Sequence, residues 1–214
     1  ILFAHGVEVV PVKTATLPPA DHTNAYLLGD PEGDFVLVDP AAHLREGMED
    51  LATAVERHKG NLVALVFTHS HGDHIGDIGL LREAFDVPIW GSEHTSKSVA
   101  CDRILSDGEV LSLGATSWQV LITPGHHPGH VCLLGDAGLI AGDMVAGIGT
   151  ILIPPHSGDM EVYIEQLERL KQLKPHLLFP SHGPVIAQPT RIFDRYINHR
   201  QARHQRVLDA VKGV

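Results

Sequence analysis

Apolar runs of four to six residues recur along the chain, separated by breaks rich in glycine, proline and aspartate. Such runs between turn signals read as strands. Apolar residues three and four apart over longer stretches read as helices. Residues 7–10 form the first expected strand, closed by Pro11, and a proline-rich loop occupies 13–22. Residues 24–28 and 35–38 flank a Gly-Asp-Pro-Glu-Gly-Asp turn and read as a hairpin. An amphipathic helix is expected over 44–59, ended by Gly60, and a buried strand over 62–67. A helix over 75–85 follows, then a short strand over 87–90, which Pro88 places at an edge or a strand start. A short helix is expected over 92–100.

Residues 103–123 alternate apolar and polar positions, with turns at Asp107-Gly108 and Gly114, as antiparallel strands do. Strands over 131–135 and 138–141 come next, joined at Gly135-Asp136. The stretch 144–158 is long and rich in Gly and Pro, the character of a functional loop. Met160, Tyr163, Ile164, Leu167, Leu170 and Leu173 lie at helical spacing behind Asp159, a suitable cap. A strand over 177–179 follows, and Pro189 opens a last helix running to about Lys212. No linker divides the chain, so residues 1–214 read as one domain. The order of elements predicts two β-rich halves packed sheet to sheet with helices outside.

Composition sharpens this only a little. The chain has 214 residues, 43% apolar and 20% charged, ordinary for a soluble globular protein and enough for one sizeable core. No apolar run approaches the roughly 18–20 residues that span a bilayer, so no membrane association is expected. No secretory signal is visible at residues 1–4, and the start at Ile1 without Met reads as a processed or trimmed form of something longer. There are two cysteines. Cys132 sits in an apolar run and reads as core, Cys101 beside Asp102 and Arg103 as partly exposed. Two cysteines make no disulfide framework, which points to a reducing, cytoplasmic setting. The net charge of −10 argues against duplex DNA as a partner. Arg191, Arg195, Arg200, Arg203 and Arg206 cluster late and read as a solvated helix face.

The candidate chemistry lies in Thr68-His69-Ser70-His71-Gly72-Asp73-His74, directly after the apolar run 62–67. A loop between a strand's C-terminal end and a helix is where α/β proteins place ligands. His69 and His71 are two apart and point the same way if extended, while Asp73 and His74 fall on the turn into the helix. Neutral imidazole and carboxylate are the ligands zinc takes in open, catalytic sites. Further candidates end other apolar runs: His126, Asp143 and His182. Each can emerge at one rim of a β core. His22, His127 and His156 lie on loops that could bring them to substrate. His5, His43, His58, His94, His176, His199 and His204 read as surface residues. Gly-x-Ser-x-Gly is absent, so no serine nucleophile elbow is expected.

These elements resemble the metallo-β-lactamase superfamily. The H-x-H-x-D-H signature is His69-x-His71-x-Asp73-His74. T-P-G-H is Thr123-Pro124-Gly125-His126, the G-D pair is Gly142-Asp143, and P-x-H-G is Pro180-Ser181-His182-Gly183. All stand in the family's order and span most of the chain. The resemblance implies an α+β fold, an αββα sandwich of two mixed sheets face to face with helices outside, and a metal site at one edge. It implies that His69, His71 and His126 hold one Zn²⁺, that Asp73, His74 and His182 hold a second, and that Asp143 bridges them; iron or manganese could replace zinc. Asp39 and His130 match family positions that orient ligands. Asp73 would also orient or deprotonate the attacking water, as the catalytic group.

Departures narrow the group. Class B1 and B2 β-lactamases have a cysteine ligand where this chain has Asp143, and flavodiiron proteins have glutamate where it has His71. Only 17 residues separate His126 from Asp143 (143 − 126), too few for the domain inserted in related nucleases. The glycine/cysteine-rich element of glyoxalase II is missing after Asp143. The stretches 142–150, 180–186 and 196–200 look most like the β-lactamase-like protein 2 subgroup, one branch of which cleaves single-stranded RNA. The expectation is a zinc-dependent hydrolase of a small ester, thioester or lactone, or of a phosphodiester. The alternatives are an endonuclease of that subgroup's type, a glyoxalase II-like thioesterase and an iron persulfide dioxygenase-like oxidoreductase.

Overall fold

The computed structural model describes residues 2–4 and 6–212, so His5 lies outside the described residues. Two sheets face each other. The first holds seven strands in sequence order: β1 (Leu2–Ala4), β2 (Val7–Lys13), β3 (His22–Gly29), β4 (Asp34–Val38), β5 (Asn61–Val66), β6 (Ile89–Gly91) and β7 (Arg103–Ile104). The second holds β8 (Val110–Leu113), β9 (Thr116–Ile122), β10 (Val131–Gly135), β11 (Gly138–Gly142) and β12 (Leu178–Pro180). Both are mixed: β1 to β4 pair antiparallel and β4 to β7 parallel, while β8 to β11 pair antiparallel and β11 with β12 parallel.

The alternation of apolar side chains builds the layers. Along β4, Val36 and Val38 face the second sheet and meet Trp118, Val120, Leu133 and Phe179. Phe35 and Leu37 face the opposite way and meet Met48, Leu51 and Ala54 of α1 (Arg45–Glu56). Period-two alternation on a strand buried on both faces requires this division. The second sheet's outer face, Leu121, Cys132 and Leu139, is covered by α4 (Met160–Gln172) and α5 (Pro189–Lys212) through Tyr163, Leu167, Phe193 and Tyr196. The result is the αββα sandwich.

Several expected boundaries move. Strand β2 continues past Pro11, which pairs with Asn24. Among the described residues its pairing with β1 covers only Val7 and Glu8, so Pro11 lies beyond it, where a missing N–H breaks no ladder. The expected helix over 75–85 is two: a single turn α2 (Gly72–Ile75) and α3 (Ile78–Phe85). Gly76 breaks them at φ +63°, and Asp77 restarts the helix by accepting from the Leu80 N–H at 3.0 Å. The segment 92–100 carries only a 3-10 turn at Thr95–Lys97. Residues 103–104 add to the first sheet beside β6, away from the antiparallel strands that follow. Asp159 caps α4 by accepting from Glu161 and Val162, and α5 opens at Pro189 as expected. Cys132 is buried and Cys101 half-buried, and both are free thiols. Among the described residues no helix is long and apolar enough to cross a membrane.

The rim where β5, β9, β11 and β12 end joins the two sheets. The Val131 N–H donates to the Thr68 carbonyl at 2.8 Å, and the Asn24 N–H to the Ser181 carbonyl at 2.7 Å. The Asn24 side chain and the Tyr26 hydroxyl both donate to the Pro180 carbonyl.

Candidate metal centre

Seven side chains from four loops meet at that rim. After β5 come His69, His71, Asp73 and His74; after β9, His126; after β11, Asp143; after β12, His182. Nε2 of His69, Nδ1 of His71 and Nε2 of His126 lie 2.9, 3.1 and 3.3 Å apart pairwise. Ligand nitrogens around a tetrahedral cation with bonds of about 2.0–2.1 Å sit roughly 3.3 Å apart, so this triangle is close to the size a zinc ion requires. A second group, Asp73, His74 and His182, brings its ligand atoms within 4.8 Å of one another, as does His69, His74 and Asp143. Asp143 stands between the groups. Its Oδ2 is 3.4 Å from His126 Nε2 and 3.7 Å from His74 Nε2, and its Oδ1 is 3.5 Å from His182 Nε2.

The far sides of the rings fix which nitrogen faces inward. His126 Nδ1 donates to the Leu152 carbonyl at 2.7 Å and His182 Nδ1 to the His22 carbonyl at 3.0 Å. His74 Nδ1 donates to Asp39 Oδ2 at 2.9 Å. Thr68 gives its hydroxyl proton to the same Asp39 oxygen at 2.7 Å, so it accepts from His69 Nδ1 at 3.0 Å. Each ring thereby has its Nε2 aimed at the centre, the arrangement in which an outer acceptor orients a metal ligand. Two inward atoms are buried with no hydrogen-bond partner, His74 Nε2 and Asp143 Oδ1. Buried polar atoms without a hydrogen bond cost free energy in a protein interior unless something binds them, so the residues present fit a pair of divalent cations.

His130 is buried beside the ligands without being one. Its Nε2 accepts from the Asp143 N–H at 3.0 Å and its Nδ1 contacts the Thr123 hydroxyl at 2.7 Å. It holds the backbone that carries Asp143. Gly142 makes room for that contact: its φ is +50° and a Cβ there would sit 2.4 Å from His130 Nε2.

The remaining histidines divide. His127 is buried behind the first triangle, with Nε2 3.1 Å from the Ser70 hydroxyl and Nδ1 accepting from the Gly129 N–H. His22 pairs with Asp21 at 2.6 Å and contributes only its carbonyl to the site, and His156 is exposed. None of the three lines the cavity over the centre, contrary to the expectation of substrate contact. His58, expected on the surface, tucks its ring against Glu8 at 3.0 Å. His94 is half-buried against His127, and His43, His176, His199 and His204 are exposed. Arg200 also departs from expectation. It is buried rather than part of a solvated face, and it donates to the Ile151 carbonyl and the Thr150 hydroxyl. Tyr163 donates to the Met144 carbonyl and Tyr196 accepts from the Ala146 N–H, so α4 and α5 together fix the loop whose Leu152 carbonyl orients His126. Thr68, Asn24, Tyr163 and Tyr196 were not singled out from sequence. Thr68 alone had a local signal, a hydroxyl beside the first ligand.

Burial depresses the proton affinity of most of these rings. His71 and His127 are pushed down to about 4 by burial and neighbouring imidazoles, and His69, His126 and His130 fall below the usual value for the same leading reason. His74 goes the other way. Burial would lower it, but the facing Asp143 and Asp39 carboxylates raise it. Asp143 is held well below the carboxylate range: burial would raise it, and the imidazoles of His74, His126 and His182 outweigh that. In metal-free protein His71 and His127 bind fewer protons folded than unfolded between about pH 4 and 6.5, and the lowered His69, His126 and His130 act in the same direction below 6.5, while the raised His74 opposes them only above 6.5, so stability rises with pH from about 4 to 6.5. We expect the melting temperature of chelator-stripped protein to fall by several degrees between pH 7.5 and pH 5. Differential scanning calorimetry checks this, and a flat or rising midpoint on acidification would contradict it.

The sequence profile of the metallo-beta-lactamase superfamily matches residues 18–182, a span holding all seven candidate ligands. The chain is 29% identical over 199 residues to a beta-lactamase-like protein 2 homolog of Drosophila melanogaster, covering 87% of this chain and 67% of that protein. It is 27% identical over 196 residues to an atrochrysone carboxyl ACP thioesterase of Aspergillus fumigatus, covering 90% of this chain and 60% of that one. It therefore spans about three fifths to two thirds of the length of these relatives. A beta-lactamase domain protein from Burkholderia ambifaria superposes with a TM-score of 0.82 at 24% identity, over 98% of this chain and 79% of that one. With its profile match, its sandwich of two mixed sheets and its rim of histidines and aspartates, the chain belongs to the metallo-beta-lactamase superfamily.

Proposed function

We propose that the chain is a metal-dependent hydrolase with two divalent cations, zinc foremost, at this rim. His69, His71 and His126 would hold one, Asp73, His74 and His182 the other, with Asp143 between them. The observation that carries the reading is the pair of buried, partnerless inward atoms, His74 Nε2 and Asp143 Oδ1, among rings whose far nitrogens are already committed. Bound cations would supply Lewis acidity toward a carbonyl or phosphoryl oxygen and a water deprotonated near neutral pH.

The chain's own groups do the rest. Asp73 is the more exposed of the two central carboxylates, with Oδ2 3.6 Å from His182 Nε2 and Oδ1 3.9 Å from His74 Nε2, and it borders the cavity. That position suits it to orient the attacking water and accept its proton at a carboxylate oxygen. Asp39, Thr68 and the Leu152 and His22 carbonyls hold the rings in place, so little reorganisation is needed on reaction. A relative named as a thioesterase supports acyl substrates.

Metal analysis followed by a substrate panel tests this. The purified protein is expected to carry close to two equivalents of zinc. It should hydrolyse at least one ester, thioester, lactone or bis-p-nitrophenyl phosphate, with activity lost on chelation and regained with zinc. Activity that survives complete removal of metal would sink the reading. Stoichiometric iron with oxygen uptake would move the chain to the persulfide dioxygenase type.

A further inference from the structure

The cavity over the candidate centre has a polar floor and apolar walls. His71, Asp73, His126, Asp143 and His182 form the floor. The walls are two loops, residues 15–20 and 146–154, and apart from the hydroxyls of Thr16 and Thr150 they present alanine, leucine, isoleucine, proline and glycine. Three large apolar side chains stand in solvent around this one opening: Leu17 is 62% exposed, Leu152 54% and Ile148 42%. Single exposed apolar residues are ordinary, but three converging on one cavity mark a surface meant to be covered.

What the walls lack is equally specific. Among the described residues no lysine or arginine lines the cavity, and no phenylalanine, tyrosine or tryptophan does. Single-stranded nucleic acid is held by cations along its backbone and by aromatic faces against its bases. Arg200, the α5 cation that reaches the 146–154 loop, is consumed by the Ile151 carbonyl and the Thr150 hydroxyl. The enclosed volume is about 220 Å³, below the roughly 300–1,000 Å³ of pockets that enclose a whole drug-sized ligand. The reacting carbonyl and one substituent fit inside, and the other substituent must lie outside.

We propose that the collar of Leu17, Ile148 and Leu152 is an acyl-chain subsite, and that the substrate is an ester or thioester with an apolar acyl chain. This rests on the hydrolase reading. The acyl chain lies along the collar, the carbonyl faces the polar floor, and the alcohol or thiol leaves toward solvent. Hydrolysis adds water across the acyl C–O or C–S bond: the acid keeps the new C–O bond and the leaving alcohol or thiol takes the proton.

The test compares acyl lengths on metal-loaded protein. The kcat/KM for p-nitrophenyl acetate, butanoate and hexanoate is expected to rise by up to about four-fold per methylene, the scale of burying one methylene, and by at least about ten-fold overall. Calorimetry with acetohydroxamate and hexanohydroxamate gives the same ratio without turnover. In Leu17→Ser/Ile148→Ser the hexanoate-to-acetate ratio should drop below about three-fold, while Leu17→Met keeps it. If the double variant misfolds by its melting temperature, Leu152→Ser and the wild-type hydroxamate ratio decide. Equal rates on acetate and hexanoate, or faster cleavage of single-stranded RNA, overturn the subsite and leave the hydrolase reading standing. Two metals bound with no turnover on any of these substrates overturns both.

Discussion

Asp143→Ala is expected to lose at least one of two bound metal equivalents and to lower kcat/KM by about a thousand-fold, roughly 4 kcal/mol of transition-state stabilisation. Asp143 is the group whose two oxygens face both halves of the centre, Oδ2 toward His126 and His74 and Oδ1 toward His182. Alanine removes the carboxylate proposed as the shared ligand and leaves three imidazoles with no anion between them. Asp143→Asn keeps the shape and one carbonyl oxygen, so its metal content should fall between wild type and alanine. Elemental analysis of the purified variants, alongside hydrolysis of the best panel substrate, measures both effects. A fully loaded Asp143→Ala protein turning over at the wild-type rate would remove the bridging role.

Asp39→Ala should produce the largest loss of stability of any single change at the rim. The carboxylate is buried and takes four donors: the Thr68 N–H at 2.8 Å, the Thr68 hydroxyl at 2.7 Å, His74 Nδ1 at 2.9 Å and, at longer range, the Ser181 hydroxyl at 3.4 Å. Leaving buried donors unpaired costs about 1–3 kcal/mol each, so losing the three short contacts costs roughly 3–9 kcal/mol, a large share of the 5–15 kcal/mol that holds a typical domain. His74 would also lose the group that sets its tautomer, and the Thr68 hydroxyl that accepts from His69 would lose its own acceptor, which should weaken metal binding by about 10–100-fold. Asp39→Asn retains an acceptor and should recover part of both. Urea unfolding and competition with a metallochromic chelator separate the two losses. A variant within about 1 kcal/mol of wild type, where ordinary surface substitutions fall, would show that Asp39 carries little.

That these histidines and aspartates would gather at one rim was legible in the sequence, because they had no competing reason to end one apolar run after another. Their outer partners were mostly illegible. His126 is oriented by the Leu152 carbonyl and His182 by the His22 carbonyl, and a main-chain carbonyl has no signature of its own. His127 misled for a related reason. It follows His126 directly, yet the chain bends there and its ring turns to Ser70 behind the site. Arg200 looked like one of a row of exposed cations. Only the packing of α5 on the second sheet reveals that its side chain reaches Ile151. The sheets themselves followed from alternation, while residues 103–104 could not be assigned to the first sheet, because two residues carry no periodicity.

The rim joins the two sheets with few hydrogen bonds, and the candidate ligands come from both sides of that seam: four from the loop after β5, and His126, Asp143 and His182 from the other sheet. A cation seated there is a clasp between the two halves. Binding only to the closed pair, it adds RT ln(1 + [M]/Kd) to cohesion, about 4 kcal/mol at a thousand-fold excess over Kd. The midpoint of heat unfolding then becomes a gauge of metal supply, and a cell short of the ion would hold a looser protein even before any substrate arrives.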